Sequence, residues 1–258
     1  MWKIVSSIIG ESLQAISVLL GSNDYARELK KTINSAERFV NWGKESQNTV
    51  DFQEALILIG KIQFKNANNS EKLKILHIKA TALLGIITSK ECDLEKFNQR
   101  ILKKYDTDEY MNEVLNNVSN RMKELQNIIS VSESGDTATL KTLIGDKKLL
   151  EVRPEEISLD ARKEYEAIED NFISKKSIKE NKANEINQFK NNLAKEIIKL
   201  NDEVLNIIVE IEKLDDILSK DEKEQKNKMK EEIATNLNNI LNHLQGKNLP
   251  LQPIKAKK

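Results

Sequence analysis

The sequence predicts an all-α protein, with an N-terminal helical bundle followed by a long antiparallel coiled-coil helical hairpin. Three observations carry that prediction. Hydrophobic residues make up 39% of the 258 positions but aromatic ones only 5%, so the bulky residues that favour strands are scarce. Eight glycines and three prolines leave few turns. From Leu159 onward, apolar residues recur every three or four positions, which is the period of a buried helix face.

The first segment, residues 1–20, carries a stripe of Ile4, Val5, Ile8, Ile9, Leu13, Ile16, Leu19 and Leu20, with Ser6, Ser7, Gly10, Glu11, Gln14 and Ser17 opposite. One reading is a core-facing first helix. The other is an interfacial helix touching a membrane surface through Trp2, Ile4, Val5, Ile8, Ile9, Leu13, Ile16 and Leu20. Lys3 is its sole basic residue, which favours the core reading. Glu11 and Gln14 interrupt any signal-peptide run, so the chain is expected to be cytoplasmic as synthesised.

Asn23 or Asp24 is expected to cap a second helix through Tyr25, Leu29, Ile33, Ala36 and Val40, ended by Trp42-Gly43. A third runs from about Asp51 to Phe64. Ser70 begins a fourth, apolar almost all round between 75 and 87; this marks it as the centre of the bundle, with a short membrane-inserting hairpin as the sharper alternative. Asp93 caps a short helix through Phe97 and Ile101, and Thr107 or Asp108 a longer one through Met111, Leu115, Met122, Leu125 and Ile129. Between 129 and 140 a loop leading into a helix through Leu140, Leu143 and Ile144 competes with a small β-hairpin.

The second half begins at Pro154 and Ser158 and reads as helix to Leu218. Its seam is Ile186, Phe189, Leu193, Ile197, Leu200, Val204, Ile207, Ile211 and Leu214. The stretch 174–182 reads either as solvated helix or as hinge. If it is continuous, this helix would be about 90 Å long. Ser219 and Glu222 form a capping box for a last helix that folds back on it and closes at Gly246. That helix is too short to cover the whole seam, which leaves Ile186 to Leu193 for the helix at 108–129 or for a second chain. The expected domains are a bundle over 1–131, a linker or small hairpin over 132–157, the coiled-coil hairpin over 158–246 and a disordered basic tail over 247–258.

Little in the sequence suggests catalysis. His77 and His243 have no ligating neighbour one turn away, so no metal motif forms. His77 reads as a solvent-facing helix residue or one making a single hydrogen bond. The glycines never cluster, which excludes a P-loop and a dinucleotide fingerprint, and no cofactor is expected. Cys92 lies near the expected helix start at Asp93, where the dipole would lower its pKa, but it has no histidine nearby in sequence. Lys+Arg and Asp+Glu are 41 each, which gives no overall pull toward nucleic acid. The clusters Lys175-Lys176-Lys179-Lys182 and Lys226-Lys228-Lys230 lie among acids and read as solvated faces. The expected function is non-enzymatic: an interaction or scaffold protein whose seam, Ile186 to Leu214, binds a protein partner or a second copy, without nucleic acid. A membrane-active helical protein is the rival expectation.

Overall fold

The computed structural model describes residues 22–145, 152–214 and 218–251, of which 89% are helical and none is in a strand. The predicted all-α class is what the chain adopts. The membrane-contact candidates from Trp2 to Leu20 lie outside the described residues.

Capping side chains set most helix starts. Helix α1 covers Ser22–Ser46, and Gln47 at φ 54° stops it. The Asn48 side chain accepts the Val50 amide and opens α2, Thr49–Gly60. After a 3-10 turn at Phe64–Asn66, Asn68 and Glu71 bond reciprocally, each side chain accepting the other's backbone N–H at 2.9 Å. That box opens α3, Asn69–Lys104. Thr107 caps α4, Asp108–Ser134, which ends at Gly135 in the left-handed region at φ 72°. Asp136 then caps α5, Thr137–Ile144, and α6 runs over Pro154–Glu212. Ser219 and Glu222 form the predicted capping box at the start of α7, Lys220–Gly246.

Several boundaries differ from the expectations. Gly43 does not end α1; it is buried inside the helix, where a Cβ would stand 2.8 Å from the Phe52 ring. No break separates the fourth and fifth expected helices. Asp93 pairs sideways with Lys90 at 3.5 Å instead of capping, and the apolar spacing Ile87, Leu94, Phe97, Ile101 carries α3 straight on. The alternation at 129–140 gives no hairpin, because α4 keeps Ile129 and Val131 helical up to Ser134. The stretch 174–182 is helix, held by Lys179 and Lys182. Gly246 is helical and Asn248 takes the positive φ of 59°. Just past it, in the expected tail, Leu249 is buried.

The chain forms two compact units, residues 1–96 with 190–258 and residues 97–189, in place of the expected sequential domains. In the first, α1 and α2 form a hairpin against one face of α3, burying Leu29, Ile33, Ala36 and Val40 with Phe52, Ala55 and Ile59 on Ile75, Ile78, Ala82 and Ile86. The other face of α3 (Leu76, Leu83, Ile87) is also fully buried, so segment 75–87 is the core of this unit, as its all-round apolar surface predicts. Leu193, Ile197, Val204, Ile207 and Ile211 of α6, with Ile233, Leu237 and Leu244 of α7, are buried in the same unit.

In the second unit, α6 residues 154–189 run antiparallel to the end of α3 and to α4. As α4 is followed from Asp108 to Glu133, its partners on α6 recede from Lys182 through Lys179 and Tyr165 to Ser158. Lys182 is only 6% exposed, and its Nζ donates to the Asp106 carbonyl at 2.9 Å and to Asp108 Oδ1 at 2.8 Å. One turn on, Glu185 accepts from Lys104 at 2.6 Å and Tyr105 at 3.0 Å, which holds its carboxyl below the usual range. The turn between α3 and α4 is thereby fixed to α6.

Candidate functional site

Two surfaces remain once the helices have packed. The first is the α4/α6 seam of the second unit. Met111 and Leu125 are buried at its two ends. Between them Val114, Leu115, Val118 and Met122 of α4, with Ile168 and Phe172 of α6, stay half-buried at core positions. Two helices cover one side of such a seam; full burial takes a third or fourth.

The second is a cavity of about 590 Å³ in the first unit, over α3 and between the α1/α2 corner and α7. Its floor follows one face of α3 from His77 through Thr81, Gly85 and Thr88 to Cys92 and Glu95. Phe52 forms part of one wall. Its ring fits because Gly85 lacks a side chain; a Cβ there would lie 2.3 Å from it. Glu232, Ile233, Asn236 and Ile240 of α7 form the other wall. His77 is half-buried in this cavity instead of facing solvent, because α1 and α7 flank its turn of α3. Burial pushes the imidazole pKa down; Glu232 and Glu37 oppose the shift and Lys44 reinforces it. At the other end, Glu91 Oε1 bonds His243 Nε2 at 2.9 Å and Lys247 Nζ at 3.1 Å, which holds the Glu91 carboxyl below the usual range.

The sequence-predicted site residues are placed as follows. Leu193 (5% exposed), Ile197, Val204, Ile207 and Ile211 are buried inside the chain, while Ile186, Phe189, Leu200 and Leu214 are half-buried. Phe189 stacks on Phe97 with ring centroids 3.8 Å apart, so at this position of the segment left for a helix at 108–129 or a second chain the end of α3 lies against α6. The cause is the uninterrupted course of α3. Cys92 sits mid-helix, which removes the helix-start argument for its reactivity. The basic clusters are partly internal instead of fully solvated, with Lys182 and Lys226 buried. Among the described residues no three His, Cys, Asp or Glu side chains converge as a metal site, and no helix is long and apolar enough to cross a membrane. No family model matches the chain, and neither the curated proteins nor the solved structures give a match to it.

Proposed function

We propose that the protein is a non-enzymatic helical interaction protein that self-associates through the open seam of α4 and α6. The observation supporting this is the run of half-buried core positions Val114, Leu115, Val118, Met122, Ile168 and Phe172 between the buried Met111 and Leu125. A second helix pair laid on this side would bury those side chains, each gaining on the order of 1 kcal/mol from the remaining exposed area. Because both copies present the same stripe, a two-fold arrangement satisfies both at once. The expected seam positions Leu193, Ile197, Val204, Ile207 and Ile211 take no part in this, since they are buried within the chain.

Sedimentation equilibrium over a hundredfold concentration range tests the reading. The expected result is a dimer that dissociates on dilution, and a monomer for Val118→Glu with unchanged helical circular dichroism. A wild-type chain that stays monomeric throughout rules out self-association.

A further inference from the structure

The geometry of the first unit's cavity points to a ligand the interaction reading does not use. Lys44 on α1 and Glu232 on α7 line the same cavity as His77 on α3. Both charges act on that one imidazole. They nonetheless form no ion pair with each other, and neither has an ion-pair partner among the described residues. One turn further along each helix, Thr81 and Asn236 add neutral hydrogen-bonding groups. The same lining carries the apolar side chains of Leu84, Phe52 and Ile240, with the polar Thr88, Ser89 and Asn239 beside them. The volume of about 590 Å³ lies within the range of small-molecule sites.

We infer that this cavity binds a small zwitterion with an apolar arm, of the chemistry of a free aliphatic or aromatic α-amino acid. Its ammonium pairs with Glu232, its carboxylate with Lys44, and its side chain lies along Leu84, Phe52 and Ile240. His77, neutral near pH 7, offers one donor and one acceptor to the head group without adding a charge that would repel the ammonium.

Isothermal titration of the full chain with L-leucine, L-methionine and L-phenylalanine tests the inference. L-leucinamide, which lacks the carboxylate, and 4-methylpentanoate, which lacks the ammonium, are the controls. At least one amino acid should bind, with both leucine analogues about tenfold weaker or more than L-leucine. Lys44→Met and Glu232→Gln, both at exposed positions, should each weaken binding by a similar factor. In NMR spectra the ligand should shift the His77 ring protons and leave those of His243, which is tied to Glu91, in place. Absence of binding by all three amino acids overturns the inference. So do equal affinities for leucine and either analogue, or wild-type affinity in both variants.

Discussion

A single methyl group at Gly85 would collide with the Phe52 ring, which has little room to move because it is 4% exposed and also lies against Gly43. Gly85→Ala is expected to cost about 1–3 kcal/mol through this overpacking. Gly60→Ala, where a Cβ meets nothing within 4 Å, should change stability by no more than about 0.5 kcal/mol. Urea unfolding of the two variants makes the comparison. Ser132 is the reverse case, since its buried Oγ has no hydrogen-bond partner. Ser132→Ala is therefore expected to leave stability unchanged or raise it by up to about 1 kcal/mol, and a loss would reveal a bond to that hydroxyl. His77 gives the fold a pH dependence. Its folded pKa lies below the unfolded 6.5, so the unfolded chain binds the proton more readily. Stability is then constant above about 6.5 and falls as pH drops from there through the depressed folded value. The urea midpoint should decline more steeply between pH 7.5 and 5 for the wild type than for His77→Gln; parallel declines would remove His77 as the cause.

Among the elements, α6 depends on both kinds of interaction seen along its length. Ile207, 1% exposed in the first unit, cannot accept a charge, and Ile207→Asp is expected to abolish the cooperative thermal transition of that unit. Lys182→Met keeps the packed stem but loses the bonds to Asp106 and Asp108. Because Asp108 is well exposed and can be solvated, the cost is expected near 1–2 kcal/mol, below that of breaking a fully buried pair; calorimetry of the variant checks this. The caps at Thr107 and Ser219 and the long apolar periods were legible because each is settled within a few residues of sequence. What covers an apolar face was not. The spacing from Ile186 to Leu214 marks a seam but not its partner, and the stacked Phe97 and Phe189 belong to helices read as unrelated. The polar run Ser89–Asp93 suggested a break because it contains a capping residue, although Ile87, Leu94 and Phe97 keep the period across it. The cavity was beyond sequence reasoning altogether, since Lys44, Phe52, His77 and Glu232 meet only after four helices have packed.

For the molecule as a whole, the first unit joins residues 1–96 to 190–258, whereas the second is the continuous stretch 97–189. Contacts between such distant segments slow folding, because the intervening chain must first be ordered or looped out. The second unit has no such delay. A chain ending at Phe189 is expected to retain a transition from the second unit and to lose that of the first, which limited proteolysis can resolve into a protected and a degraded part. During translation, the strongly apolar stretch 75–87 emerges about a hundred residues before the segments of α6 and α7 that complete its unit, which at ribosomal rates is on the order of ten seconds. For that interval the nascent chain offers a sticky surface to chaperones, and a message cut short before codon 190 yields an aggregation-prone fragment in place of a smaller working protein.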